Sequence, residues 1–360
     1  MPESPAGHDG RDGRGLRGRL GGADRRPPTA PGGEVEQAET WFLGQGLTYF
    51  VPSVRAGVRA GLRPRRFVPP LGGVALLALA AGVLLAWWSE DVSAAPAVLL
   101  SFVLLGAAVY ALTVLRTGPI VRWAGARTLG SLRLLVPVTS QALPLLLVFV
   151  TFLFINAEAW QMTANLPGPL LWLTVLLLMG LAVVFLLVRL PEEVDRVDDA
   201  VDADFLRRTT RGTPLESAAE RLLARGADPA PYAQVTGYDR ANLILVLLVV
   251  QVVQVLLLVV AVFCYFLVFG SLVMTPSVQE AWTGLDDGIN NIGNLSVSYQ
   301  LTKVSLFLAA FSGLYFTVSA VTDETYRARF FASVTEHLER AVGMRTVYLM
   351  LRDEEGSGRS

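Results

Sequence analysis

The feature that most constrains this chain is how arginine is shared out between its long apolar runs. Six segments, near 68–88, 95–115, 134–157, 168–189, 243–273 and 300–321, are apolar over enough length to cross a bilayer. A spanning helix needs about 20 such residues. Eleven Arg precede the first segment, and the connection after it, SEDVSAAP, has none. The second connection holds Arg116, Arg122, Arg127 and Arg133, and the third, AEAWQMTANLPG, has none. The fourth holds Arg196, Arg207, Arg208, Arg211, Arg221, Arg225 and Arg240, the fifth (274–299) none, and the tail holds Arg327, Arg329, Arg340, Arg345, Arg352 and Arg359. Basic residues stay on the cytoplasmic side of a membrane. The alternation therefore predicts an all-α membrane protein with six transmembrane helices as three hairpins, multi-pass in the plasma membrane, with both termini cytoplasmic.

Composition agrees: 52% of residues are hydrophobic, only 17% are charged, and the mean hydropathy is +0.48. A soluble domain carries about 25% charged residues. The single cysteine, Cys264, permits no intrachain disulfide, and two histidines, His8 and His337, give little material for a metal centre or a catalytic triad. No Walker loop, G-x-G-x-x-G, H-E-x-x-H or G-x-S-x-G occurs. The expectation is a protein that is not an enzyme, has no cofactor, and has lipids, rather than nucleic acid, as its surroundings.

Residues 1–33 are rich in Gly, Arg, Pro and Asp and should form a disordered tail. Residues 34–66 form a cytoplasmic juxtamembrane segment in which Arg55, Arg59 and Arg63 recur every four residues beside Val54, Val58 and Leu62. Adjacent basic and apolar stripes suit a surface helix that touches lipid headgroups. The six spans fall within 67–325, interrupted by a cytoplasmic helical loop at 190–240. In that loop Val194, Val197, Val201 and Phe205 share one helical face, and Thr213-Pro214-Leu215-Glu216 reads as a capping box opening a helix that stops at Gly226. The acidic run at 192–204 could dock on the basic 55–66 segment or stay solvated. The tail, 326–360, repeats Tyr326, Phe330, Val334, Leu338 and Val342 every four residues, with Gly343 as the expected helix stop. The fifth apolar run is too long for the hydrocarbon layer, so it must tilt or project into a protein cover.

Asn156, Glu158 and Gln161 gather at the end of the third span, Gln141 lies deeper in it, and Gln251 and Gln254 lie one turn apart in the fifth. Amides in lipid bond to a neighbouring helix or line a polar path. No ionisable residue lies near the middle of a span, which argues against proton-coupled transport. Ser305, Ala309, Gly313 and Thr317 form a small-residue ridge for close helix packing. Lys303 should snorkel to headgroups, and Trp160 and Trp282 should sit in the interfacial aromatic belt. VFVTFLFIN (148–156) and VFCYFLVFG (262–270), each followed by Glu-Ala-Trp, suggest a duplicated hairpin.

On FLFINAEAWQ (152–161), TPLE (213–216) and FLVFGSLV (266–273) the chain resembles the uncharacterised polytopic integral membrane proteins of actinobacteria. That resemblance implies a host and no activity. The leading functional expectation is a non-catalytic scaffold or subunit of a membrane complex, bound to a protein partner or to a second copy. The alternative is a passive channel or permease lined by helices 3, 5 and 6. A weaker third reading is a lipid-modifying enzyme using Glu158 or the Asp286–Asp287 pair.

Overall fold

The computed structural model describes residues 33–61, 64–89, 94–113, 116–130, 146–284, 289, 291–292, 297–322 and 324–357. The expected disordered tail (Gly33 apart), Arg63, Gln141 and the Asp286–Asp287 pair lie outside them, as do the side chains of Tyr326, Phe330 and Val334. The described residues are helical, with no named strand and one isolated bridge between Asn291 and Ser298.

The N-terminal segment contains α1 (Glu34–Gly44), a 3-10 turn (Thr48–Phe50) and α2 (Pro52–Gly61). Then follow α3 (Pro64–Ser89), α4 (Ala94–Thr113), α5 (Gly118–Gly130), α6 (Leu146–Phe154) and α7 (Ala157–Asn165). The rest comprises α8 (Gly168–Asp198), α9 (Ala203–Thr209), α10 (Glu216–Ala224), α11 (Ala230–Ala233), α12 (Gly237–Val273), α13 (Pro276–Thr283), α14 (Tyr299–Thr322) and α15 (Glu324–Ser357).

Among the described residues, four helices are long and apolar enough to cross a membrane: most of α4, α8, α12 and most of α14. The α6–α7 pair, bent by 72°, makes a fifth if it is one span. The first expected span lies within α3, whose described apolar stretch is Gly72–Leu84. The third coincides only in part with α6, because 131–145 lie outside the described residues. Long apolar helices are what a bilayer demands, since every backbone polar group in hydrocarbon must be satisfied within its own segment.

α3 and α4 form an antiparallel hairpin closed by two glycines. A Cβ on Gly82 would lie 2.8 Å from the Ala95 carbonyl oxygen, and one on Gly106 2.7 Å from Val74 Cγ1. The hairpin is tied to the bundle where Trp172 Nε1 of α8 donates to Ser101 Oγ of α4 at 2.8 Å. The centre of the bundle is α8, α12 and α14, which pack on one another. Val255, Leu258, Val259, Leu308, Ala309 and Phe316 are buried there.

α12 is 37 residues long, about 55 Å at the helical rise, against a hydrocarbon layer of about 30 Å. Its first turns are covered by the same chain. Asn242 is fully buried, accepts the Tyr49 N–H at 2.6 Å and donates to the Gly46 carbonyl at 3.2 Å. α8 also runs past its expected end at 189, through Pro191, to Asp198.

The cover is a helical module at the Arg-rich end, built round the second half of α15. Val342, Met344, Val347, Tyr348 and Met350 are buried there, and α1, α9, α10 and α11 pack on α15. Gly343 does not end the helix as expected; α15 continues to Ser357. The glycine serves close packing instead, since a Cβ there would come within 2.8 Å of Thr209 Cβ and nearer still to its hydroxyl. The capping box also differs: Thr213 donates to the Thr210 carbonyl, while Glu216 accepts from Gly212 N at 2.8 Å. Gly226, at φ +78°, does end α10, with Ala227 N–H reaching back to the Leu222 carbonyl at 3.2 Å.

Candidate functional site

The amides expected to act together occupy two separate places. Asn156 caps α7, accepting from Glu158 N at 2.8 Å and Ala159 N at 3.1 Å. Glu158 and Gln161 are exposed. Gln251 and Gln254 are buried in α12. Phe154, two residues before Asn156, packs near Gly270, sixteen residues beyond Gln254, or roughly 24 Å along the helix. Neither polar atom of Gln251 has a hydrogen-bond partner among the described residues, nor does Gln254 Oε1. Ser305, Ala309, Gly313 and Thr317 are all buried. A Cβ on Gly313 would lie 2.5 Å from Val259 of α12 and 3.3 Å from Met179 of α8, so at this point the ridge faces the same chain. Thr317 Oγ1 donates to the Gly313 carbonyl at 2.8 Å.

Positions aligned by the suspected duplication meet. Thr151 and Tyr265 hydroxyls lie 3.4 Å apart, and Trp160 stands edge-on to Trp282 at 6.3 Å, where α7 packs on α13. The Trp160 ring does not face outward: it is fully buried, with Nε1 donating to the Phe154 carbonyl at 2.8 Å. Lys303 is turned inward too. Its Nζ donates to the carbonyls of Ala164 and Leu166 at 2.9 and 2.7 Å, capping the C-terminal end of α7.

The strongest charged constellation is one the sequence reading missed. Asp239, in the first turn of α12, accepts from Arg55 Nη2 at 2.6 Å through one oxygen and from Arg345 Nε at 2.8 Å through the other. Arg345 also donates to the Tyr232 carbonyl at 3.1 Å, and Arg55 to the Tyr49 carbonyl at 3.0 Å. One carboxylate thus joins α2, α12 and α15. Arg55, expected on lipid, is half-buried against Asp239, and Arg59 is exposed with its guanidinium 5.4 Å above the Tyr238 ring. The acidic run pairs elsewhere, Asp195 with Arg240 at 2.7 Å and Glu193 with Arg196 at 2.5 Å. Tyr348 flanks the constellation, donating to Glu39 at 2.7 Å. Burial, with that bond, pushes its hydroxyl up to about 12, and burial pushes Tyr49 up to about 12.

The signal that could have found Asp239 was a lone acidic residue at the start of an overlong apolar helix. A charge there needs partners, and the positive end of the helix dipole favours it. Among the described residues no group of three or more His, Cys, Asp and Glu could hold a metal ion. Comparison with known proteins found no matching family model, no similar curated protein and no similar solved structure.

Proposed function

We propose that this chain is a non-catalytic scaffold or subunit of a plasma-membrane complex. In this reading six helices span the membrane as three hairpins, and the Arg-rich module and both termini are cytoplasmic. The observation that carries it is continuity. α8 and α12 run unbroken from the apolar bundle into the module, and Asp239 binds the N-terminal segment and α15 to the same helix. A bundle and a module that share helices transmit a contact made at one to the other as a rigid unit. The partners we propose are membrane lipids and a protein partner or second copy. Crosslinking in native membranes followed by purification tests this: a stoichiometric partner or dimer supports the scaffold, and a solitary monomer across conditions counts against it.

The second reading, a passive channel or permease, is favoured by one observation, the buried amide of Gln251, which has no partner among the described residues. Liposome flux that falls in Gln251→Leu and Gln254→Leu would support that alternative.

A further inference from the structure

A cavity of about 320 Å³ opens where the N-terminal segment, the start of α12 and the end of α15 converge. Arg55, Arg345, Arg352 and Asp239 are the charged residues that line it. That single carboxylate is already divided between Arg55 and Arg345, and a further acid, Glu39, sits behind Tyr348 as the acceptor of its hydroxyl, so the charged residues of the lining itself are three cations to one anion. The Arg345 side chain is only 8% exposed, and a cation that deep needs close charge balance, because burial takes away its hydration.

Thr236, Gly237 and Tyr238 also line the cavity, so the first turn of α12 faces it. Thr236 makes no side-chain cap there. The leading N–H groups of a helix lack intrahelical acceptors, and they favour an anion. Arg352, also in the lining, is exposed, its guanidinium held 5.7 Å over the Tyr348 ring. The apolar run of α12 begins at Leu243, one turn past Asp239, which sets the cavity at the edge of the bundle rather than within it.

We propose that this cavity binds a phosphate-bearing anion, from an acidic phospholipid headgroup or a soluble phosphate. Arg55, Arg352 and the start of α12 hold it, and the Asp239–Arg345 pair orders the wall. Phosphate oxygens accept several hydrogen bonds at once, which suits guanidinium forks and a helix N-terminus together. The volume lies at the small end of ligand pockets, about 300–1,000 Å³, enough for a phosphate and a short substituent. The inference stands whether the chain is a scaffold or a permease.

The test uses the full chain in phosphatidylcholine nanodiscs. One arm titrates inorganic phosphate by calorimetry; the other adds phosphatidic acid to the nanodisc and measures lipid retained after detergent extraction. Arg352→Gln removes an exposed guanidinium without opening the core, and Arg207→Gln, on a solvent-facing pair with Asp204, controls for net charge. Saturable binding in either arm, weakened about tenfold by R352Q through loss of a charge-assisted hydrogen bond and unchanged by R207Q, supports the site. The arm that responds identifies the source. Absence of saturable binding in both arms, binding indifferent to R352Q, or equal loss in both variants overturns it.

Discussion

The carboxylate of Asp239 lies 2.8 Å from Nε of Arg345, a residue 106 positions away, and both side chains are about nine-tenths buried. Removing one member of a buried ion pair strands the other charge at a cost of about 3–5 kcal/mol, whereas apolar replacement of both is often neutral. Asp239→Ala should therefore lower thermal stability sharply in detergent, and Asp239→Leu with Arg345→Met should recover the part owed to Arg345, leaving the smaller part owed to half-buried Arg55, which still loses its acceptor. A melting temperature in D239A equal to that of the parent would contradict the pairing.

Gly343 and Gly356 are both helical, yet their substitutions should differ in sign. A Cβ at 343 runs into Thr209, while one at 356 meets nothing within 4 Å. Gly343→Ala should cost about 1–3 kcal/mol through overpacking. Gly356→Ala should be neutral or gain about 0.4–1 kcal/mol through the unfolded state. Denaturant unfolding of the two variants decides the point.

Gln251 holds two buried polar atoms without partners among the described residues. If the bundle is dry, Gln251→Leu removes an unsatisfied group and should raise stability by about 1–3 kcal/mol, with no change in liposome flux. A fall in flux without a gain in stability would favour the hydrated path.

Tyr348 and Tyr49 give the fold an alkaline limit. Their hydroxyls are raised from 10.0 to about 12, Tyr348 by burial and its bond to Glu39, Tyr49 by burial. A group whose folded value is raised adds stability that is complete below the unfolded value and lost as pH rises through the folded one. Stability should therefore decline between about pH 10 and about pH 12, and Tyr348→Phe should flatten that decline. An identical pH slope in parent and variant would exclude Tyr348 as a source.

The long apolar helices were legible because their signal is local: runs of Leu, Val and Ala without charge. The overhang of α12 was legible for the same reason, by length alone. The features that escaped depend on distant partners. Asp239 meets Arg55 across 184 residues and Arg345 across 106, and no local pattern announces either. Gly343 was misread because glycine marks both a helix end and a close approach, and only Thr209 on α9 distinguishes the two. Arg55 read as lipid-facing because its acceptor, Asp239, lies in another helix, whereas Arg59 of the same stripe is exposed. Lys303 likewise found carbonyls at the end of α7 where headgroups were expected.

The most direct test of the account is the sidedness of its two ends. In a Cys264→Ser background, single cysteines replace exposed Gln161, at the Arg-free end, and exposed Arg207, in the Arg-rich module. An impermeant maleimide applied to intact cells should label position 161 and reach position 207 only after permeabilisation. Labelling of 207 from outside with protection of 161 would contradict the proposed orientation.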